Sequence, residues 1–300
     1  ISLGLVGSEM CIRDSFWIFL GGVALNVGLN ALWIDGNWGM PRMGMNGAAW
    51  ATFVARCATL LCMWLWLKKA RSIQDWVPRR WLILPSVREM RRHLAVSIPA
   101  SMQMLCEVTA FSLTGLIMGS FDVTAMAAHQ VAMTCAAMAF MVPLGLSMAL
   151  TMRMSEHLGA NRLDQLKPLV LSGWWLSVGF TTLSAVIFLC LGRQLAQAFV
   201  HDQAVIDLTV KILIVAGVFQ LVDGWQVSSA ALLRGMHDTR YAAVTGFVAY
   251  WLIGLPVAWL LGKTLGLGPA GVWWGLALGL LVASLVLAHR LWRLLTTRAA

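Results

Sequence analysis

Two apolar stretches decide the fold class: Ser97–Gly119 reads SIPASMQMLCEVTAFSLTGLIMG and Val210–Leu233 reads VKILIVAGVFQLVDGWQVSSAALL. Each is long enough to cross a bilayer, which takes about 20 mostly apolar residues in a helix. Each also carries an acid near its middle, Glu107 in the first and Asp223 in the second. A carboxylate in hydrocarbon is costly unless it is paired or faces water, so an acid at this depth indicates ion or proton handling.

The composition of the 300 residues agrees with a membrane protein. Charged residues make up 12% of the chain, against about 25% in soluble domains. Pro143 and Pro256 lie inside the fourth and seventh apolar segments and are predicted kink points. Eight segments reach spanning length: 16–34, 47–67, 94–119, 124–152, 169–192, 205–233, 242–262 and 270–290. The sequence therefore predicts an all-α polytopic membrane protein.

The basic residues between the spans predict the orientation. Sixteen Lys and Arg follow the even-numbered spans, and only Arg42, Arg193 and Lys263 follow the odd-numbered ones. Because cytoplasmic loops are enriched in Lys and Arg, we expect a multi-pass membrane protein with a cytoplasmic C-terminus. The net charge of +9 comes from these loops, so membrane lipid is the expected partner and nucleic acid is not.

The cysteine spacing does not indicate an enzyme, and neither does any known catalytic motif. The six cysteines form no CxxC pair and have no histidine at metal-ligand spacing, so neither a disulfide framework nor a zinc site is predicted. The chain contains no catalytic triad and no phosphate-binding loop. We expect a protein that is not an enzyme and that uses no cofactor.

A short internal repeat predicts the domain organisation. Gly44–Trp50 (GMNGAAW), at the start of the second span, resembles Gly268–Trp274 (GPAGVWW), at the start of the eighth. Copies in the same orientation, six spans apart, indicate two parallel six-helix lobes. Segment 16–67 would hold the last two helices of the first lobe, 68–93 a cytoplasmic linker, and 94–300 the second lobe.

The first residues are expected to be non-native. Leu5–Ser15 reads LVGSEMCIRDS, which resembles a translated sequencing adapter, so residues 1–15 are set aside from the fold. The natural sequence would then begin near Phe16, inside a helix, as in a truncated reading frame. A chain with eight of twelve helices is expected not to transport by itself.

Amide and aromatic side chains share helix faces with the two acids. The predicted lining of a cavity around Glu107 and Asp223 consists of residues within about one helical turn of either acid: Gln103, Phe111, Phe219, Gln220 and Gln226. A second set has two open interpretations each. His129 and Gln130 either line the cavity or pack in the core. Asn26 and Asn30 are either ligands or interhelical hydrogen-bonding groups.

Two neighbouring carboxylates predict a site for a positive charge. In a low dielectric both cannot stay ionised without a counter-charge. A proton, Na⁺ or an organic cation can supply it, and exclusion of one by another is the basis of antiport. Glu107 and Asp223 are therefore predicted to form a shared cation or proton site that could hold Na⁺. The alternative is a structural role, in which hydroxyls, amides and water form hydrogen bonds with the two acids.

Six strings carry a resemblance to a known family. They are GAAWAT (47–52), AAHQVA (127–132), FMVPLGLSMAL (140–150), FQLVDGWQV (219–227), LLRGMHDTR (232–240) and YWLIGLP (250–256). In this order they resemble the multidrug and toxic compound extrusion (MATE) family, specifically its NorM-like bacterial branch. The resemblance implies a twelve-helix, two-lobed antiporter that exports cationic amphipathic compounds against Na⁺ or H⁺.

The resemblance also implies roles for individual residues. Glu107 matches the acid on the family's seventh helix and Asp223 the acid on its tenth, both associated with coupling-ion and substrate binding. Phe219 falls where some relatives have a tyrosine. We expect a monomer with small cationic substrates. Two other functions stay open: a flippase for lipid-linked precursors, which would need Arg or Lys in the cavity, and a non-transporting structural or receptor protein.

Overall fold

The computed structural model describes residues 2–34, 36, 39–69 and 86–299, and these are almost entirely helical. The helices are α1 Ser2–Trp33, α2 Gly44–Lys69, α3 Val87–Gly119, α4 Val123–Gly159, α5 Leu166–Phe199, α6 Gln203–Gly235, α7 Thr239–Phe247, α8 Leu255–Trp259 and α9 Gly268–Ala299. Eight segments of the described ranges are long and apolar enough to cross a membrane. The predicted all-helical class and the predicted eight spans are confirmed.

The helix ends differ from the predicted spans mainly at the linker. Most of the predicted linker 68–93, residues 70–85, lies outside the described residues. The third span was predicted to start at residue 94, but α3 begins at Val87, one residue after its N-cap Ser86. The Ser86 hydroxyl accepts from the Glu89 amide, and the Glu89 carboxylate accepts from the Ser86 amide. This reciprocal cap satisfies the first free amides and explains the early start.

The chain divides into two compact units, Ile1–Pro85 and Ser86–Ala300. In the first unit α1 packs against α2. In the second unit α6 packs against α4, α5 and α9 and is buried on most of its surface. Because α6 is mostly buried and contacts three other helices, it is the central helix of the second unit.

The core of the second unit has two apolar clusters, one towards each end of α6. One cluster includes Ile212, Ala216 and Phe219 from α6, and the other includes Ala230 and Leu233. The α6 residues between them, 220–229, include two glutamines, one aspartate and two serines. The clusters therefore hold α6 at both ends and leave its polar middle for the site described below.

The seventh span is not a regular α-helix. Two π-helical segments, Val248–Gly254 and Leu260–Thr264, lie before and after α8. Pro256 has no amide hydrogen to donate and its ring clashes with the carbonyl four residues earlier, so widened turns accommodate it. The other predicted kink point, Pro143, lies within an unbroken α4.

The two copies of the repeat have the same local geometry. Gly44 begins α2 with φ 54°, and Gly268 begins α9 with φ 63°, values that favour glycine because it has no Cβ. Three residues later, a Cβ on Gly47 would lie 2.5 Å from the Trp33 carbonyl oxygen. A Cβ on Gly271 would lie 2.8 Å from the Leu261 carbonyl oxygen. In both copies the entering helix touches the backbone of the helix before it.

Candidate functional site

The second unit contains a cavity of about 730 Å³. Residues of α3, α4 and α6 form its walls, and Trp273 of α9 completes them. Most of the lining is apolar, and it includes four thioether side chains: Met104, Met133, Met148 and Met152. Cavities of this size with few polar groups are typical of sites for small organic molecules.

Both predicted acids line this cavity. Asp223 is 4% exposed and Glu107 is half-buried. The two carboxylates interact electrostatically with each other. Within the residues that the structure describes, neither carboxylate makes an ion pair or a hydrogen bond to protein. Since a buried charge needs a partner, the arrangement is suited to bind a positive charge.

Close packing with α5 fixes the rotation of α6 and so directs Asp223. The Ser177 hydroxyl donates a hydrogen bond to the Gly224 carbonyl at 2.7 Å. A Cβ on Gly224 would lie 2.5 Å from Cγ2 of Thr181. Gly224 therefore faces α5, and its neighbour Asp223, about 100° around the helix, faces the cavity.

A contact with the seventh span places α3 in the same way. The Trp251 indole N–H donates to the Cys106 carbonyl at 3.2 Å. Cys106 is buried on that side, while Glu107, the next residue, lines the cavity.

Aromatic rings form one wall next to the acids. The Phe111 ring packs edge-on against the Phe219 ring at 5.8 Å, and Phe219 packs edge-on against Trp273 at 5.8 Å. Tyr250 lies behind Phe111, with ring centroids 6.3 Å apart. Because aromatic faces attract cations, this wall suits a cationic ligand with an apolar body.

Three glutamines add unpaired polar atoms to the cavity lining. Gln220 donates to the Ala136 carbonyl at 2.9 Å, which leaves its Oε1 without a partner. Gln103 Oε1 and both side-chain polar atoms of Gln226 are also buried without a hydrogen bond within the described part of the chain. Native proteins rarely leave buried polar groups unpaired, and those that are unpaired mark sites for water or an ion.

The remaining sequence candidates are not among the residues that line this cavity. Gln130 is exposed and lies one turn beyond the cavity-lining Met133 on α4. His129 is buried, and its Nδ1 accepts a hydrogen bond from the Trp273 indole at 3.3 Å, so core packing is its observed environment. In the first unit the Asn30 amide donates to Asn26 Oδ1 at 3.3 Å. The Asn26 amide donates to Thr52 Oγ1 of α2 at 3.4 Å, so Asn26 bonds between helices, whereas the Asn30 bond lies within α1.

Sequence reasoning missed two residues of the site. Arg234 was counted in a cytoplasmic loop, but it occupies the last turn of α6 and lines the cavity. Its spacing of eleven residues from Asp223, about three helical turns, was the available signal. Tyr250 is fully buried with an unpaired hydroxyl among the described residues, and its phenol interacts electrostatically with both acids. A buried phenol usually finds a polar partner, so a tyrosine within an apolar span was the signal available in the sequence.

Comparison with known proteins identifies the family. The sequence model described as MatE matches residues 99–260, more than half of the chain. The chain belongs to the MATE family. The matched range contains Glu107, Asp223 and Tyr250, together with all of the cavity lining except Trp273. The predicted family is thereby confirmed.

The curated relatives are bacterial MATE proteins of the NorM type. Multidrug resistance protein PmpM of Pseudomonas aeruginosa is 35% identical over 94% of the chain and 60% of its own length. Probable multidrug resistance protein NorM of Pseudomonas putida is 34% identical over 92% of the chain and 61% of its own length. The chain thus spans about 60% of the length of the curated relatives that it matches.

Solved MATE structures share the fold. A crystal structure of MATE in the straight conformation has a TM-score of 0.86 and 19% identity, and the match covers 99% of this chain and 66% of that one. An outward-facing multidrug resistance MATE family transporter has a TM-score of 0.81 and 20% identity over 93% of this chain and 61% of that one. At these identities the likeness establishes the helical arrangement alone.

Proposed function

We propose that this protein acts as a secondary active antiporter that exports cationic, amphipathic organic compounds in exchange for Na⁺ or H⁺. One observation carries the proposal: Glu107 and Asp223 line a single, mainly apolar cavity, and neither makes an ion pair or a hydrogen bond with a described residue. Two carboxylates in such a place need positive charge. We further propose that the protein lies in the bacterial inner membrane with its C-terminus in the cytoplasm.

The chemistry of the cavity supports an organic cation as cargo. The methionines and the aromatic wall offer apolar, polarizable surface to the body of the molecule. The acids attract its charge. Protonation of the acids, or Na⁺ bound between them, removes that attraction, so the coupling ion and the cargo compete for the same carboxylates. Alternating access to this site would come from rocking of two lobes, as in other transporters built from repeats.

The relatives support the same function. PmpM and NorM are described as multidrug resistance proteins, and a solved relative is described as a multidrug resistance transporter. These descriptions agree with the expectation that the protein is not an enzyme. Because the chain spans about 60% of its curated relatives, export remains an inference for this protein.

The charge of the cavity disfavours a lipid-linked-precursor flippase. A site for phosphates would need several basic side chains, since phosphate carries up to two negative charges. Arg234 is the one basic residue among the lining residues, against two acids. The net negative charge repels phosphates. A purely structural protein is disfavoured because packing alone gives no reason to bury unpaired carboxylates.

The decisive experiment measures export with the acids neutralised. The gene that encodes the chain, with any coding sequence that adjoins it, is expressed in a pump-deficient bacterium, and ethidium efflux is followed. Glu107→Gln and Asp223→Asn are each expected to reduce the efflux rate by about 10-fold or more, since a lost attraction of 1.4 kcal/mol already gives a factor of ten. The matched control is Asp164→Asn, which removes an exposed acid outside the cavity. Unchanged efflux in both cavity variants would refute the proposal.

A second experiment separates the two coupling ions. Efflux is measured at fixed pH with Na⁺ replaced by K⁺, and then with Na⁺ present and a protonophore added. Loss of efflux in K⁺ alone identifies Na⁺ as the coupling ion. Loss with the protonophore alone identifies H⁺.

A further inference from the structure

The cavity contains a third charged group that the proposed exchange does not use. Arg234 lines the same cavity as Glu107 and Asp223, and its side chain is half-buried. Its guanidinium makes no ion pair or hydrogen bond with any residue that the structure describes. A partly desolvated guanidinium normally pairs with a carboxylate or phosphate. An Arg without such a pair, in a cavity with two unpaired acids, calls for an explanation.

Arg234 makes no direct contact with either acid but lies within electrostatic reach of Glu107. Along α6, eleven residues separate it from Asp223, about 16 Å at 1.5 Å per residue. Glu107, on the facing helix α3, attracts the guanidinium. Charges in a low-dielectric cavity interact over such distances because water screens them poorly. All three groups line one cavity, so the charge of each contributes to the electrostatic potential within it.

We propose that Arg234 is a built-in counter-charge that leaves the cavity one net negative charge, so that it accepts one monovalent cation at a time. The inference rests on the proposed function and adds the charge class of the cargo. The guanidinium stays protonated at any physiological pH, so it supplies one of the two positive charges that the carboxylates need. The passenger supplies the other.

The charge balance selects among cargo and coupling ions. A lipophilic monocation, one Na⁺ or one proton each completes the balance, and any one of them excludes the others. A dication would leave the cavity with a net positive charge, and Arg234 would repel it more strongly than it repels a monocation. Arg234 is accordingly a specificity-determining residue that discriminates monovalent from divalent organic cations.

Binding measurements on the purified 300-residue chain in detergent test the inference. The two probes are tetraphenylphosphonium, a lipophilic monocation, and dequalinium, a lipophilic dication, in Na⁺-free buffer at constant pH. The unsubstituted chain is expected to bind tetraphenylphosphonium and to bind it in preference to dequalinium. In Arg234→Gln the affinity ratio should shift towards dequalinium by about 10-fold, as expected for one charge acting across a poorly screened cavity.

A double substitution makes the test sharper. Glu107→Gln leaves one acid and one guanidinium, with no net charge, and should weaken tetraphenylphosphonium binding by about 10-fold or more. Adding Arg234→Gln restores one net negative charge and should recover binding to within about threefold of the unsubstituted chain. No structural role of Arg234 predicts that a second substitution rescues the first.

Two control variants separate charge from other effects. Arg240→Gln removes an exposed positive charge six residues further along, outside the cavity, and should leave the ratio unchanged. Arg234→Lys keeps the charge and should keep the preference for the monocation. A role in anchoring lipid headgroups would instead alter the melting temperature in lipid and leave the affinity ratio as it is.

The possible failures of the two proposals are distinguishable. If Glu107→Gln weakens binding but the double variant stays equally weak, or if Arg234→Lys shifts the ratio as Arg234→Gln does, the inference about Arg234 is wrong and the acid site stands. If Glu107→Gln and Asp223→Asn both leave tetraphenylphosphonium binding intact, or the unsubstituted chain does not bind it, both the acid site and the inference are wrong.

Discussion

Trp273 connects three parts of the second unit through one side chain. It is fully buried, donates its indole hydrogen to His129 of α4, and packs edge-on against Phe219 of α6. It also closes one end of the cavity lining. A buried aromatic residue with a paired polar atom combines a large packing contribution with a fixed orientation.

Replacing this indole should destabilise the fold. Trp273→Phe removes the donor to a buried histidine and leaves unfilled volume, so we expect the free energy of unfolding to fall by about 1–3 kcal/mol. Chemical denaturation in mild detergent, followed by circular dichroism, measures it. Trp274→Phe is the matched control, because Trp274 is 40% exposed. Equal effects of the two substitutions would contradict the assigned contacts.

The sequence predicted the two acids of the cavity but missed Arg234. The position of each residue along its span explains the difference. An acid within an apolar span is conspicuous because its burial is costly. Arg234 stands at the end of its span, where basic residues normally face the cytoplasm, so composition alone assigned it to a loop. Asp238 shows a similar limit. It stands just before α7 and makes no side-chain capping bond, and its carboxylate accepts from Arg290 Nε of α9 at 2.9 Å, a partner that only the tertiary fold supplies.

The contact between the seventh span and α9 depends on the absence of a side chain. At Gly275 a Cβ would clash with the backbone of Ala258, which is fully buried in α8. Small residues allow membrane helices to approach this closely, and the close approach gives the packing its strength. Gly275 is therefore required for the close packing of α8 against α9.

A pair of alanine substitutions tests this contact. Gly275→Ala should force α8 and α9 apart and lower the free energy of unfolding by about 1–3 kcal/mol. Gly179→Ala, in α5 with open space at the Cβ position, should raise it slightly, by up to about 1 kcal/mol, because alanine favours the helix. Thermal unfolding of both variants in one detergent gives the comparison. A Gly275→Ala protein as stable as the Gly179→Ala protein would show that the helices do not meet as described.

The positions of the spans were predictable from the sequence, but the type of helix within a span was not. Hydropathy found all eight spans because length and apolar content are properties of the sequence alone. The π-helical turns on either side of α8 could not be foreseen in the same way. Pro256 indicated an irregularity, but its form depends on how Ala258 and Tyr250 pack against α9 and α3.

At the scale of the whole molecule, α9 gives the proposed orientation a direct test. Leu267 precedes α9 and Thr297 lies near its end, about 45 Å apart along the axis, which exceeds the roughly 30 Å hydrocarbon core. In a cysteine-free background, Leu267→Cys should react with an impermeant maleimide on spheroplasts. Thr297→Cys should react only after permeabilisation. The reverse pattern would contradict a cytoplasmic C-terminus.

The predicted two-lobe arrangement stays a prediction at this scale, because only its local part can be compared with the structure. Two short strings, Gly44–Trp50 and Gly268–Trp274, predicted a repeat, and both begin a helix with a left-handed glycine followed by a tight glycine contact. That match is local, because backbone geometry at a helix start depends on neighbouring residues. The convergence of α3, α4 and α6 on one cavity depends on long-range packing, which no single segment encodes.

The four thioethers of the cavity wall have a consequence for cells under oxidative attack. Met104, Met133, Met148 and Met152 present flexible sulfur-containing side chains to the cavity. Hypochlorite or peroxide converts such side chains to sulfoxides, which are polar and chiral. Oxidation of this wall would weaken the binding of apolar molecules and leave the two carboxylates unchanged. Exposure to hypochlorite should therefore impair binding of the proposed cargo before it impairs binding of the proposed coupling ion. Methionine sulfoxide reductases should restore cargo binding.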